Sequence, residues 1–421
     1  MASRAESVFR NRDFVHLWWA ETVSQLGSQI TLIALPLVAI LVLHATTFEV
    51  GALTAVEFSP FVLFGLPAGA IVDRLPRRPI LVGADIGRAI ALATVPLAYA
   101  FDVLSYAQLC AVVFITGTLT VFFDVAYQSI LPALVERNQL ADGNAKLEIS
   151  RSGAQLAGPG IGGLLVQWIG AASAVLADAA SFVASALMIR GIKAREAPIE
   201  PGIVHEEVGQ LRALGHEIKE GLRYVLGHRV LRLIAGSTAT ANFFSSMMLA
   251  VYLLYAVREL AYGAGVIGLV FSLGNIGVLV AAVLAARITK AVRLGPAIWL
   301  GMAIGAVALF LLPAAPSGLV IPFFTAAWLL FGFGGTLYNI DQVSLRQAIT
   351  PDRMQGRMNA SMRFMVWGTM PFGSLAGGVL GGVIGLRPTL WVAAIGGATA
   401  ILWLSARPVL ELREIPQPVD S

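Results

Sequence analysis

Charged and polar side chains stand at a few positions inside long apolar stretches, and their types suit proton transfer. Gln25 follows Glu21 by one helical turn, so the two share a helix face. Glu57 and Arg88 also stand among apolar neighbours, and Arg88 has two candidate counterions, Glu21 and Asp85. A carboxyl group shielded from water can bind and release a proton, so we expect Glu21, Glu57 or both to carry protons or to bind a cationic substrate. The alternative is a neutral or paired structural carboxylate.

Composition identifies the elements that hold these groups. The chain has 421 residues, of which 57% are hydrophobic and 13% are charged, about half the charge of a soluble domain. Apolar runs of about 20 residues recur, and each can cross a bilayer as a helix. The sequence therefore predicts an all-α membrane protein with twelve transmembrane helices, near residues 14–43, 47–73, 79–101, 104–130, 146–169, 172–190, 231–257, 263–287, 296–313, 318–343, 360–385 and 389–405.

Basic residues predict how the chain is oriented. If the N-terminus is cytoplasmic, all of the 29 Lys and Arg residues except Arg258 and Arg387 face the cytoplasm or lie nearest to it. This is the positive-inside pattern, and it predicts a multi-pass protein of the cytoplasmic membrane with both termini in the cytoplasm. The net charge of +4 is explained by this orientation signal, with contacts to anionic lipids of the bilayer as a second use, so no nucleic-acid partner is needed.

The two halves of the chain repeat each other. Residues 1–190 form one predicted six-helix bundle and residues 230–421 form another, separated by a cytoplasmic linker, 191–229, with an amphipathic helix near 206–228. Gln128 corresponds to Gln342, and the pair Gly162–Gly163 corresponds to Gly377–Gly378. Two pseudo-symmetric six-helix bundles are typical of transporters that rock around a central site.

Polar residues at helical spacing mark the predicted cavity helices, which are spans 1, 4, 7 and 10. Membrane-embedded polar groups normally face a bundle interior or a water-filled cavity. The candidates for the substrate and proton pathway are Glu21, Gln25, Glu57, Arg88, Tyr127, Asn242, Tyr338 and Asn339. Phe243, Phe244, Met247 and Met248 would suit an adaptable apolar site, although core packing is their commoner use. Asp178, Ser181 and Ser185 on span 6 break this pattern and receive no functional assignment.

A short charged turn, "GAIVDRLPRRPIL", joins spans 2 and 3. It contains Asp73, Arg74, Arg77 and Arg78. The positive-inside pattern partly explains why three arginines occur at this position. It does not explain Asp73, because acidic residues contribute little to the orientation of a membrane protein. We expect Asp73, the three arginines, Asp124 and Arg363 to form a charged latch on the cytoplasmic side, provided that it is partly shielded from water.

This turn resembles the loop motif of the major facilitator superfamily, G-x-L-a-D-r-x-G-r-k, with Pro76 in place of the second glycine and Ile71 in place of the leucine. "FFDVAYQSILPALVERNQLADGNAKLE" and "GAQLAGPGIGGLL" resemble a bacterial efflux branch that includes macrolide and siderophore exporters, and the similarity covers nearly the whole chain. The resemblance implies the major facilitator fold, a gate formed by Asp73, Arg74 and Asp124, and an antiporter-like motif at Gly158–Pro159. The glycines of that segment, including Gly162 and Gly163, also permit close helix packing.

The resulting hypothesis is a secondary transporter that exports a small amphipathic compound, its small-molecule substrate, in exchange for protons. The direction of transport rests on the resemblance. The alternatives are a proton-coupled importer or facilitator of a metabolite and a non-transporting membrane scaffold. No ATP-binding P-loop, catalytic constellation or metal-ligand spacing occurs in the sequence, so no enzyme activity, cofactor or metal is predicted. We expect a monomer.

Overall fold

The computed structural model describes residues 8–72, 75–136, 139–193 and 219–413, and within these ranges the regular structure is helical. A short 3₁₀ turn, Val8–Arg10, precedes the first long helix. The α-helices are α1 Arg12–Leu37, α2 Thr47–Val72, α3 Arg77–Ala100, α4 Tyr106–Leu134, α5 Leu140–Ile169, α6 Ala171–Arg190, α7 Arg229–Leu254, α8 Ala264–Val292, α9 Leu294–Ala314, α10 Val320–Ala348, α11 Asp352–Trp367, α12 Met370–Ile384, α13 Leu386–Ala398, α14 Ala400–Leu404 and α15 Arg407–Leu410.

Each predicted span coincides with helical structure. Ten segments in the described part of the chain are long and apolar enough to cross a membrane. The other two predicted spans correspond to α5, whose first half carries charges, and to the pair α11 and α12. Over the predicted span 360–385 the helix is interrupted by a two-residue turn at Gly368 and Thr369, which divides it between α11 and α12.

Helices extend beyond the predicted spans at several ends. α4 continues to Leu134, α5 begins at Leu140, α8 continues to Val292 and α10 continues to Ala348. Hydropathy reports the apolar part of a helix, whereas the helix itself ends where its backbone groups find other partners. At α1, for example, the Asn11 side chain accepts hydrogen bonds from the amides of Asp13 and Phe14.

The chain forms two compact units. Unit 1 comprises Met1–Ala45, Val56–Gly202 and Tyr262–Ser272, and unit 2 comprises Thr46–Ala55, Ile203–Ala261 and Leu273–Ser421. The first turns of α2 thus belong to unit 2, and the first turns of α8 belong to unit 1. In unit 1, α6 packs against α1 and α3; in unit 2, α7 packs against α12 and α13, and α9 packs against α10.

The internal repeat is visible in the backbone of each unit. The helices of spans 1 and 7, α1 and α7, each continue into a π-helical segment, Val38–Val42 and Tyr255–Glu259. A residue with positive φ follows each segment, His44 in one case and Ala261 in the other. The turns after α5 and α12 place Gly170 and Gly385 at φ of 84° and 91°, a conformation that glycine adopts without strain. The predicted duplication is therefore structural as well as sequential.

Helix ends that are predicted to face the cytoplasm lie together in unit 1. The Asn11 side-chain amide donates to the Leu134 carbonyl over 2.6 Å, and the Lys193 backbone amide donates to Asp13 Oδ1 over 2.9 Å. The start of α1, the end of α4 and the segment after α6 therefore meet at one end, called the α1 end below. Residues 219–227 of the linker are helical; the rest of the predicted amphipathic helix, 206–218, lies outside the described residues.

Candidate functional site

Arg88 lies at the centre of a buried polar group in unit 1. It is 3% exposed, and its Nη2 atom is 2.5 Å from Oδ1 of Asp85, which is fully buried. Its Nη1 atom donates to the Thr120 hydroxyl on α4 over 3.3 Å. The guanidinium also stacks between the rings of Phe123 and Phe182, whose centroids are 4.3 and 4.0 Å from Cζ. Of the two candidate counterions, Asp85 is thus the one in contact with Arg88.

Glu21 and Gln25 occupy the same face of α1, as predicted. Gln25 Nε2 donates to Glu21 Oε1 over 2.7 Å, and Glu21 is buried. Glu21 lies within electrostatic range of Asp124 and Arg88. Tyr127 stacks on Phe123 at 6.1 Å between ring centroids and lies within electrostatic range of Glu21. The structure therefore gathers Glu21, Gln25, Arg88 and Tyr127 in one polar region of unit 1.

Glu57 lies apart from this group. It is half-buried on α2, where its backbone carbonyl and Pro60 face Gly117 of α4. Within the described ranges its carboxyl group has no hydrogen bond or ion pair with another side chain. Glu57 therefore lies next to a close contact between α2 and α4.

The predicted gate residues are only partly within the described chain. Asp73 and Arg74 lie outside the described residues, so their association with Asp124, which is half-buried on α4, stays a prediction. Arg77 begins α3, and the Arg78 side chain donates to the Arg190 backbone carbonyl at the end of α6. This bond ties α3 and α6 together at the α1 end.

Arg363 in unit 2 is exposed and sits over the Trp367 ring at 5.8 Å. A neighbouring arginine on α11 has a clearer role. Arg357 Nη1 forms an ion pair with Glu220 of the linker at 2.7 Å. Next to it, Gly221 lies so close to Ser361 that a Cβ atom would overlap its hydroxyl oxygen, and Val225 is fully buried. The end of the linker thus docks on α11.

The glycines of α5 are close-packing positions. A Cβ atom at Gly158 would overlap the Gln29 side chain, and one at Gly162 would lie 3.0 Å from the Cα atom of Ile30 on α1. A Cβ atom at Gly163 would overlap the Ala264 carbonyl of α8. Pro159 is buried between these glycines. The packing interpretation of this motif therefore has direct support.

Unit 2 contains a cavity of about 500 Å³ whose polar groups come from α7 and α10. Predicted residues Asn242, Tyr338 and Asn339 line it. The Tyr338 and Thr238 hydroxyls are 2.5 Å apart, and Asn242 Nδ2 donates to the Val366 carbonyl over 3.2 Å. The lining residues are uncharged: Thr238, Ala241, Asn242, Ser245, Val278, Gly301, Met302, Gly305, Ala306, Leu309, Phe331, Gly332, Gly335, Thr336, Tyr338, Asn339, Ile340 and Gly397.

The apolar wall of the cavity differs from the sequence prediction. Met302, Leu309 and Phe331 line it, whereas Met247 and Met248 are buried in the helix core and Phe243 and Phe244 form an edge-to-face pair outside the lining. The sequence prediction chose apolar residues next to the polar residues of α7. It missed the apolar residues of α9, which reach the cavity because Gly301 and Gly305 allow close approach of α10.

Comparison with known proteins is consistent with this geometry. A family model described as transmembrane secretion effector matches residues 3–417. The multidrug efflux pump Tap of Mycolicibacterium fortuitum is 27% identical over 374 residues, covering 86% of this chain and 88% of that protein. The pump of the same name from Mycobacterium bovis, strain BCG, is 25% identical over 395 residues, covering 90% and 89% of the two chains.

Solved structures share the fold at low sequence identity. A bacterial homologue of the iron transporter ferroportin, in an inward-facing state, superposes with a TM-score of 0.74 at 17% identity, covering 95% of this chain and all of the other. The nucleoside transporter NupG superposes with a TM-score of 0.72 at 10% identity, covering 93% and 98%. The chain therefore belongs to the transmembrane secretion effector family of major facilitator transporters, and it is a membrane transporter homologous to multidrug efflux pumps.

Proposed function

We propose that this protein exports small amphipathic compounds across the cytoplasmic membrane in exchange for protons, by alternating access. The observation that carries the substrate part is the cavity of unit 2. Its volume of about 500 Å³ lies within the range of small-molecule sites. Its hydroxyl and amide groups on α7 and α10 are matched by apolar side chains on α9 and α10, so it suits a compound with both polar and apolar parts.

The proton part rests on the carboxyl groups of unit 1. Glu21 is buried and its Oε2 atom has no hydrogen-bond partner within the described ranges. An ionised carboxylate oxygen without a donor is costly in an apolar site, and binding of a proton removes that cost. Glu57 is the second candidate. Export as the direction is supported by the relatives, which are named as multidrug efflux pumps.

The test is transport by the purified protein in lipid vesicles with an imposed pH gradient, using ethidium and erythromycin as probes. We expect the wild type to accumulate at least one probe, and dissipation of the gradient to abolish accumulation. Accumulation that ignores the gradient would contradict proton exchange. Absence of flux for every probe would contradict the proposed substrate class.

Two glycine variants test whether the cavity of unit 2 binds the substrate. Gly335 lines the cavity, and a Cβ atom there would have no neighbour within 4 Å, so Gly335→Leu places its side chain in open space. We expect this variant to reduce transport about tenfold by filling the site. Gly382 on α12 is equally unobstructed but lies outside the cavity lining, so Gly382→Leu should transport normally. Equal transport by both variants would exclude the cavity as the substrate site.

A further inference from the structure

A second group of buried polar residues in unit 1 lies beside Arg88 and is not used by the proposed substrate site. It is built from one face of α6, where Asp178, Ser181 and Ser185 are spaced so that their side chains align. Asp178 is 1% exposed and Ser185 is fully buried. The Ser181 hydroxyl is 3.0 Å from Asp178 Oδ1.

The groups that face Asp178 come from the two helices packed on α6. α1 contributes the Thr31 hydroxyl, and α3 contributes Asp85 and Arg88, all within electrostatic range of the carboxyl group. The Val38–Val42 segment and residues 152–169 of α5 contain no titratable side chain, since the titratable residues of α5 all lie in its first half. At Gly27 of α1, a Cβ atom would overlap both Ser181 Oγ and Asp178 Oδ1. This close approach seals the group from the surroundings.

The charges in this group do not balance. Arg88 is the one buried cation among the described side chains here, and its 2.5 Å contact is with Asp85. Asp178 is hydrogen-bonded to Ser181 but has no cation in contact within the described ranges. A buried ionised carboxylate without a paired cation is strongly disfavoured. A proton on Asp178 removes its charge without any change in packing.

A serine hydroxyl and a carboxyl group complete the site. Ser185 Oγ and Asp85 Oδ2 are buried, and the Ser185 hydroxyl lies within hydrogen-bonding range of the Asp85 carboxyl group. A hydroxyl can donate to a carboxylate or accept from a protonated carboxyl group, so this pair can accommodate a proton in this region.

Arg88 connects the group to α4, the helix that carries the predicted pathway residue Tyr127. Its Nη1 atom bonds Thr120 of α4, and Phe123 of the same helix stacks on it. Because the two rings hold the guanidinium in place, a change of charge at Asp178 alters the electrostatic balance on Arg88 and through it the contact with α4. Protonation inside the bundle would thereby be linked to the position of α4, one of the helices that the sequence predicts to line a cavity.

We propose that Asp178, Asp85 and Arg88 form a proton-binding site inside unit 1, with Asp178 as the carrier of a coupling proton. A proton binds to one carboxylate oxygen of Asp178, forming an O–H bond, and leaves by the same bond when the transporter has changed state; no other bond is made or broken. This inference rests on the proposed proton exchange and adds to it a carrier other than Glu21 and Glu57.

The test compares Asp178→Asn with Asp102→Asn in vesicles. Asparagine keeps the size of the side chain but cannot carry the proton. Asp102→Asn makes the same change at an exposed aspartate after α3, at a positive φ that asparagine tolerates. With ethidium as probe, we expect Asp178→Asn to lose about tenfold or more in accumulation driven by a pH gradient, while its exchange of internal for external ethidium without a gradient stays near the wild-type rate. Asp102→Asn should retain both activities.

The outcomes separate this inference from the proposed function. If the wild type shows no gradient-driven accumulation, the proton exchange itself fails and the coupling site with it. If the wild type responds and Asp178→Asn responds equally, only the site fails. A loss of both activities by correctly folded Asp178→Asn indicates a structural role and also overturns the proposal.

Infrared difference spectroscopy over a pH titration gives a readout that does not depend on transport. We expect the wild type and Asp102→Asn to show the C=O stretch of a protonated carboxyl group that Asp178→Asn lacks. An identical carboxyl signal in Asp178→Asn and the wild type would overturn the assignment.

Discussion

Arg88 shows how one buried cation can organise three helices. Its guanidinium contacts Asp85 on its own helix, Thr120 and Phe123 on α4, and Phe182 on α6. The hydrogen bonds and the two aromatic faces replace much of the water that the charge loses on burial. A buried ion pair adds little net stability, but removing one partner leaves the other uncompensated.

Replacement of Arg88 should therefore destabilise unit 1. We expect Arg88→Leu to lower the free energy of unfolding by about 3–5 kcal/mol, because Asp85 is left without its cation. The double variant Asp85→Asn with Arg88→Leu should recover most of the loss. Thermal unfolding in detergent measures both, with Arg287→Leu, an exposed arginine on α8, as a control expected to change stability by about 1 kcal/mol or less. Equal melting temperatures for Arg88→Leu and the control would contradict the argument.

At the residue scale, the sequence predicted the helix faces of the polar residues better than it predicted their partners. Glu21 and Gln25 share a face and a hydrogen bond because the period of a helix is known in advance. Arg88 pairs with Asp85, one turn away on the same helix, and not with Glu21 of α1. Which of the two carboxylates the arginine contacts depends on side-chain conformations, which the sequence does not specify. Asp178, Ser181 and Ser185 were recognisable as one face of α6, but their neighbours on α1 and α3 are a property of packing alone.

At the scale of elements, glycines set the distance between helices in both units. Gly162 approaches the backbone of Ile30 on α1, and Gly377, its counterpart in the repeat, approaches the backbone of Met247 on α7. Their neighbours continue the parallel, since Gly163 contacts α8 and Gly378 contacts Gly51 of α2. Small residues allow van der Waals contact between helix backbones, which is a main source of helix association in lipid.

Alanine substitutions distinguish these contacts from helix propensity. A Cβ atom at Gly162 would lie 3.0 Å from the Ile30 Cα atom, and one at Gly377 would lie 2.5 Å from the Met247 carbonyl oxygen. We expect Gly162→Ala and Gly377→Ala each to destabilise the protein by about 1–3 kcal/mol through overpacking.

The control for these substitutions is Gly153 of α5, where a Cβ atom would have no neighbour within 4 Å. Gly153→Ala should raise stability by up to about 1 kcal/mol through helix propensity. Thermal unfolding in detergent compares the three variants. A stabilising effect of Gly162→Ala would show that the helices separate without penalty and would contradict the packing role.

At the scale of the whole molecule, the duplication explains why so much of the architecture was predictable. Twelve apolar runs and a matched glycine pair predicted two related helical bundles, and the paired π segments and positive-φ turns carry the same relation. The break of span 11 at Gly368 and Thr369 was not predicted, because an apolar run reports membrane burial and not helix continuity. The cavity wall from α9 was missed for a related reason, since an apolar helix gives no sign of which residues face a void.

Orientation in the membrane is the remaining large-scale prediction, and it follows from the distribution of arginine and lysine. Lys290 at the end of α8 and Ser317 after α9 are both exposed and lie at opposite ends of α9, a helix long enough to cross the bilayer. With the single cysteine replaced by Cys110→Ala, we expect an impermeant maleimide to label Ser317→Cys in intact cells and Lys290→Cys only after permeabilisation. The positive-inside pattern requires this order, since Lys290 lies among the basic residues predicted to be cytoplasmic. The reverse labelling would place both termini outside the cell. The faces predicted to be cytoplasmic and external would then be exchanged, which would contradict the proposed direction of export.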